Sequence, residues 1–516
     1  MAAISADLAI TEAAVTESRK LRRHFGRFDI FFFLICTIVG VDTISSVAKS
    51  GGEAFTWMIV LAAVFFIPQA MLFAELGTTF PLEGGPYLWT RMAFGHLAGA
   101  INNFLYWVTN PVWLGGTLSL TAITAIQVFF NHGNTFSTPV FFIVGLTFIW
   151  LSVLAAVLSF GVGKWLPTAG AFARFVLLGL FTVSVALYAA KHGAHGLGAS
   201  GFRPSQTGFV LLIGVLLFNY VGFELPSSAG EEMVNPRRDI PFAIARSSAV
   251  SFLLYALPIL GILLVLPTSA ITNFGGFVSA LQTVFTVYGG HLAAAGPVLT
   301  GAGLVLGDAC GILFVLAVMT SGITWLMGSD RALAVSGYDG AAPRFLGVIS
   351  ERFGTPVRVN IFSGIVATCV LILAHQLTHG NAARFFTAVL GVTISTTLIS
   401  YLLIYPALWK LRRSHPEVAR PYRMPAYRVW TVVLVVLVAI ASVQLIAPGT
   451  GLAWFSPSFA PSGWTHAQRG TYLLTELIPV LVFIAIGVAF WAAGARTRAQ
   501  TATAEELQLL AASREG

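Results

Sequence analysis

Two carboxylates and one guanidinium stand where the chain is otherwise apolar. Glu224 lies in Asn219-Tyr220-Val221-Gly222-Phe223-Glu224-Leu225-Pro226-Ser227-Ser228, within an apolar segment over about Gly208–Gly230. Asp42 lies in Thr37-Ile38-Val39-Gly40-Val41-Asp42-Thr43-Ile44-Ser45-Ser46, within Phe28–Val47, and Arg174 lies within Leu166–Ala190. An ionisable group at membrane depth costs several kcal/mol and usually marks a pathway. In hydrocarbon a helix can break only where protein or water satisfies the freed backbone. The Gly, Pro and hydroxyl residues around Asp42 and Glu224 therefore read as two interruptions of spanning helices, in corresponding places of two halves. Such paired breaks are the sequence signature of a transport site. Freed N–H groups at half-helix N-termini suit a substrate carboxylate. The carboxylates of Asp42 and Glu224 suit an amine.

The elements that must hold these groups are membrane helices. The chain has 516 residues, 56% of them hydrophobic and 10% charged, a composition of polytopic membrane proteins rather than soluble domains. Twelve apolar stretches reach the ~20 residues needed to cross a bilayer. They are about Phe28–Val47, Trp57–Phe80, Ala98–Phe130, Pro139–Phe160, Leu166–Ala190, Gly208–Gly230, Phe242–Leu266, Leu304–Gly328, Val359–Leu377, Phe385–Trp409, Arg428–Ile446 and Thr471–Ala493. This divides the chain into a tail (1–27), helices one to six (28–230), seven to ten (231–410), eleven and twelve (411–495), and a second tail (496–516).

With the N-terminus inside, only Lys49, Lys191, Arg203, Arg384 and Arg469 of the 29 Lys and Arg face outside or sit near that end. That is the positive-inside asymmetry, and it predicts a plasma-membrane protein with both termini cytoplasmic. The basic first 27 residues contain no signal-peptide core. The +8 net charge follows this topology and does not point to nucleic acid. The charge-free stretch Pro267–Gly303 predicts an outer loop with a short interfacial helix.

Other chemistry is poorly supported. Cys36, Cys310 and Cys369 lie in apolar segments and suggest neither a disulfide framework nor a metal cluster. His96, His132, His192, His195 and His291 sit at loops or span ends without metal-ligand spacing. Gly51-Gly52 and Gly84-Gly85 read as turns, because no Lys-Ser/Thr follows as in a phosphate loop. No nucleophile–base arrangement is visible, so neither an enzyme nor a cofactor is expected. Asn102, Asn103, Asn110, Thr320 and Ser321 are in-membrane polar groups that either line a pocket or bond between helices.

Three ordered motifs carry a family resemblance. The first is Phe218-Asn219-Tyr220-Val221-Gly222-Phe223-Glu224, continuing to Asn235-Pro236-Arg237-Arg238-Asp239-Ile240-Pro241. The second is Ala74-Glu75-Leu76-Gly77-Thr78-Thr79-Phe80-Pro81-Leu82-Glu83-Gly84-Gly85-Pro86-Tyr87. The third is Trp325-Leu326-Met327-Gly328-Ser329-Asp330-Arg331, with Tyr338-Asp339-Gly340 and Gly354-Thr355-Pro356. Residues 25–410 thereby resemble the amino acid–polyamine–organocation transporter superfamily.

The resemblance implies an all-α protein of twelve transmembrane helices, a five-plus-five inverted repeat with helices one and six unwound. It implies that Val39, Gly40, Val41, Asp42, Thr43, Phe218, Asn219, Tyr220, Gly222 and Trp325 meet a small-molecule substrate. It places Phe218 at an aromatic gate, Trp325 on the pocket wall, and Glu224 at a proton-linked gating position. Two departures matter. Gly40-Val41-Asp42 stands where amino acid-binding relatives often have Gly-Ser-Gly, and Gly51-Gly52 and Ile67-Pro68-Gln69-Ala70 look more like the polyamine-uptake branch. Arg174 stands about where proton-coupled relatives have Lys and sodium-coupled ones hold a cation. As a fixed charge it either fills that site or neutralises Asp42. The expected function is amino acid transport by alternating access, driven by protons or exchange. The alternatives are polyamine import and a non-transporting nutrient sensor on the same fold.

Overall fold

The computed structural model describes residues 11–21, 23–131, 133–158, 165–194, 199–267, 270–271, 275–293, 296–461 and 463–502. Phe160, His132, His195 and the outer parts of both tails lie outside the described residues. The chain is mostly helical. A tail helix α1 (Glu12–Ser18) precedes α2 (Arg27–Ile38) and α3 (Ile44–Ala48). Then follow α4 (Gly52–Thr79), α5 (Gly85–Phe94), α6 (His96–Phe130), α7 (Thr138–Leu158), α8 (Trp165–His192), α9 (Gln206–Asn219), α10 (Pro236–Val265), α11 (Gly276–Phe285), α12 (Gly301–Tyr338), α13 (Val357–Leu377), α14 (Ala382–Ser414), α15 (Tyr427–Ile446) and α16 (His466–Ala493).

Ten of these are long and apolar enough to cross a membrane, against twelve expected spans. The two expected spans that fall short are those holding Asp42 and Glu224. The first becomes α2 and α3 with Val39–Thr43 non-helical between them. The other becomes α9, followed by irregular backbone and a 3₁₀ turn at Leu225–Ser228. Gly222 has φ of +118°, which L side chains rarely adopt, and Pro226 has no N–H to continue an α-helix. An added Cβ at Gly222 would come within 2.6 Å of Thr37 Cγ2, so this irregular segment touches the last turn of α2.

The expected span Leu304–Gly328 runs ten residues further, to Tyr338, because its polar end is satisfied inside the protein. Asp330 accepts from Trp107 Nε1 of α6 (2.9 Å), Ser363 Oγ (2.7 Å) and Asn360 Nδ2 of α13 (2.8 Å). Arg331 pairs with Glu83 (3.0 Å) and Glu232 (2.7 Å), all three buried. Gly84 makes the expected turn, with φ +85°, but Gly85 opens α5, a helix the sequence reading missed. Its Arg91 pairs with Asp339 at 2.8 Å. Glu75 is held by Arg412 (2.5 Å) and Arg420 (3.6 Å). The described ends of the two tails meet in this same region: Glu12 N donates to Gln500 O, and Thr11 Oγ1 to Tyr338 O. Opposite, Pro267–Gly303 holds the expected short helix, α11, and an antiparallel hairpin of Gly290–Ala293 with Gly296–Leu299. Its strands are only four residues each, with no alternating apolar pattern to announce them.

Candidate functional site

The non-helical segment after α2 leaves carbonyls that a continuous helix would have satisfied. Arg174 of α8, fully buried, takes them up. Its Nε donates to Val39 O (2.8 Å) and its Nη2 to Cys36 O (3.3 Å) and Ala317 O (2.7 Å). Nη2 also reaches Ser321 Oγ (2.5 Å), and Nη1 donates to Gly170 O (2.9 Å) and Thr320 Oγ1 (3.0 Å). One planar guanidinium thus ties α8 and α12 to the C-terminal end of α2, where the helix dipole favours a cation. The side chain does not reach outward to a membrane interface.

Of the two roles expected of Arg174, this arrangement does not include an ion pair with Asp42. No ion pair joins them among the described residues, because the guanidinium faces carbonyls and hydroxyls. Asp42 Oδ2 instead accepts from Trp113 Nε1 of α6 at 2.9 Å. Asp42 Oδ1 is buried without a hydrogen-bond partner among the described residues, as is Asn219 Oδ1. The N–H of Gly40 is already engaged: it donates to the Tyr255 hydroxyl of α10 (2.8 Å), which in turn donates to Ile38 O (2.7 Å). Thr43 Oγ1 closes the same turn onto Gly40 O (3.1 Å).

A small cavity of about 10 Å³ lies between these segments, about the room one water needs. Gly40, Thr43, Phe218, Asn219 and Trp325, all expected at the site, line it together with Thr37, Ile38, Val221, Trp113 and Tyr255. The ring of Trp113 stands edge-on to Phe218 (5.7 Å) and to Trp325 (6.1 Å). Trp325 Nε1 donates to Thr37 O at 3.2 Å. The aromatic enclosure is therefore anchored to the last turns of α2 and α9 and, through Trp113, to Asp42.

The other expected residues, Asp42 among them, are not on the cavity wall. Val39 contributes its carbonyl to Arg174. Val41 is buried and Gly222 supplies the reversed backbone. Tyr220 faces away: its hydroxyl donates to Met58 O (2.7 Å), its ring packs on Phe66 (4.6 Å), and its carbonyl accepts from Gln69 Nε2. Glu224 is fully buried and accepts from the Tyr106 hydroxyl at 3.0 Å, with Tyr401 beside it. No Lys, Arg or His pairs with Glu224 among the described residues. Trp113, Tyr106, Tyr255 and Tyr401 were missed by sequence reading. An aromatic ring in an apolar helix looks the same whether it packs or recognises; only its neighbours distinguish the two.

Comparison with known proteins agrees with this architecture. A mutant manganese transporter of Eremococcus coleocola, solved by crystallography, shares the fold with a TM-score of 0.55, covering 92% of this chain and 94% of its own at 13% identity. A probable agmatine/putrescine antiporter of Lactococcus lactis is 27% identical over 406 residues, 78% of this chain and 83% of the relative. An uncharacterized transporter of Legionella pneumophila is 28% identical over 415 residues, 77% and 83% of the two chains. A glutamate/gamma-aminobutyrate antiporter of Lactococcus lactis is 21% identical over 474 residues, 89% of each. Residues 25–461 match the family described as amino acid permease. Broken helices, an aromatic cavity between them and a match over most of the length lead to one conclusion: the chain belongs to the amino acid permease family.

Proposed function

We propose that the chain is a proton-linked secondary transporter of an amino acid or polyamine, with the ammonium group of its substrate received by Asp42. The observation that carries this reading is the buried Asp42 Oδ1, which has no hydrogen-bond partner and no ion pair among the described residues and lies against Gly40 of the cavity wall. A buried carboxylate without an ion-pair partner is complementary to a bound ammonium. Trp113, Phe218 and Trp325 add aromatic faces and edges that favour a cation at short range. The engaged Gly40 N–H removes one donor that a substrate carboxylate would have used, which favours recognition through the amine. The antiporter relatives are named for amine-bearing solutes, in keeping with this.

At about 10 Å³ the cavity is too small for either substrate, so binding requires the segments around Asp42 and Glu224 to separate. We read these segments as the unwound first and sixth of twelve spans in a five-plus-five repeat. The ion pairs of Arg331 and Arg91 close the side where the tails meet, which we place in the cytoplasm. Arg174 occupies the position of a coupling cation, and so uptake is independent of sodium.

Glu224 is the proton carrier in this reading. Ionising a buried carboxyl without a cation nearby is costly, whereas the Tyr106 hydroxyl can remain bonded to either form. Proteoliposomes loaded at neutral pH should take up a radiolabelled amino acid or polyamine faster when the outside is acidified. Glu224→Gln, which mimics the protonated acid permanently, should keep binding but flatten the pH profile. An unaltered profile in the variant would remove Glu224 from the coupling. A solute panel in the same vesicles separates amino acid from polyamine transport, and no uptake of any solute would leave the sensor reading.

The topology is tested separately, on a Cys369→Ser background. Asn134→Cys should react with an impermeant thiol reagent on whole cells and Arg237→Cys only after permeabilisation. The reverse pattern would overturn the placement of the termini.

A further inference from the structure

A second cavity lies apart from the transport site, on the outer surface of the bundle. It is an apolar groove of about 520 Å³ between α4 and α10. Small residues form its floor and walls, Ala63, Ala70 and Ala74 on one side and Ala245 and Ala249 on the other. Ile67, on its rim, is 53% exposed. The groove runs along α4 from Ile59 to Ala74 and along α10 from Pro241 to Phe252, and Tyr422, from the segment before α15, stands at its Arg-rich end.

The charges at this mouth identify an occupant. Arg238 precedes the groove residue Pro241 by three positions and shares its helix face. Arg423 follows Tyr422 directly. Both are exposed and form no ion pair among the described residues. Their neighbours Arg412 and Arg420 are held by Glu75, and Arg246 turns onto Phe242 at 3.7 Å. An apolar channel opening to hydrocarbon, with two uncommitted guanidiniums where it meets the headgroup layer, has the chemistry of an anionic lipid site.

We propose that this groove binds an anionic phospholipid of the leaflet on the Arg-rich side, with an acyl chain between α4 and α10 and the phosphate at Arg238 and Arg423. The chain would lie against Phe66, which lines the groove and packs on Tyr220 (4.6 Å) and Phe223 (5.0 Å). The site therefore abuts the segment that carries Glu224.

Native mass spectrometry of the full-length protein, titrated with phosphatidylglycerol or phosphatidylcholine, tests the proposal. Two interfacial Arg residues favour the anionic lipid by about thirtyfold. Arg238→Gln with Arg423→Gln should abolish the preference, and Ala249→Trp, which fills the groove, should lower retention of both lipids. A phosphatidylglycerol with a mid-chain diazirine should label peptides covering residues 59–74 and 241–252 of the unmutated protein. Equal retention of the two lipids by the unmutated protein would overturn the proposal. So would labelling spread evenly around the bundle, or a lipid-free dimer that covers the groove.

Discussion

Asp42→Asn is expected to weaken binding of the amine-bearing substrate by a factor of about a hundred to a few thousand. Removing one partner of a buried charge pair costs about 3–5 kcal/mol. The sign follows from the surroundings of Asp42. Its Oδ2 accepts from Trp113 and its Oδ1 has no partner among the described residues. Asparagine can keep an oxygen toward the Trp113 Nε1, so the indole stays in place. It then turns an amide N–H₂ toward the substrate's ammonium, and two donors meet. The protein should fold normally, since the unpartnered carboxylate is a cost to the apo state. Equilibrium binding of labelled amino acids and polyamines, read beside thermal unfolding in detergent, checks both halves. Unchanged affinity for every solute would make Asp42 structural. Lost affinity with equally lost stability would also count against a direct contact.

Arg174→Gln should produce the reverse pattern, a large loss of stability. Gln has one amide in place of five N–H donors, so the carbonyls of Cys36, Val39 and Ala317 cannot all be satisfied. The Gln amide has two N–H donors, so at least one of the three carbonyls is stranded, and each one left without a partner costs about 1–3 kcal/mol. Arg174→Lys should recover part of this through a compact three-donor head that cannot span α2 and α12 together. Thermal unfolding of the three proteins should rank Arg above Lys above Gln. If Gln unfolds at the temperature of the unmutated protein, the guanidinium is not what holds the broken segment. Uptake by the unmutated protein should be the same in sodium and in choline media; a sodium requirement would overturn the assignment of Arg174 to the cation position.

Much of this was legible in the chain because membranes simplify it. Hydrocarbon forces spanning segments to be apolar and to satisfy their own backbone, so hydropathy located the long helices. The same constraint made Asp42, Arg174, Gly222 and Glu224 conspicuous as violations of the pattern. The ordered motifs around Glu75, Arg331 and Asp339 showed the family resemblance without showing what these residues do. Their partners decide that. Glu75 meets Arg412 and Arg420 some 340 positions away, and Glu83 meets Arg331 across 248.

Pairing across such distances was beyond the sequence. Arg174 was equally compatible with Asp42 and with a set of carbonyls, because both are acceptors. Only the position of α8 against the C-terminal end of α2 pointed the guanidinium at Cys36 and Val39. The aromatic enclosure was hidden for a similar reason. Trp113, Tyr106 and Tyr255 sit in helices already apolar enough to span, and periodicity says which face they occupy but not which helix lies opposite. By itself the sequence determined that the chain crosses a membrane many times and where its backbone cannot stay helical, since both follow from local transfer and hydrogen-bond costs. The tertiary structure decided which acid keeps a free oxygen beside the cavity and which cation is already committed, since a charge's availability depends on every group that packs around it.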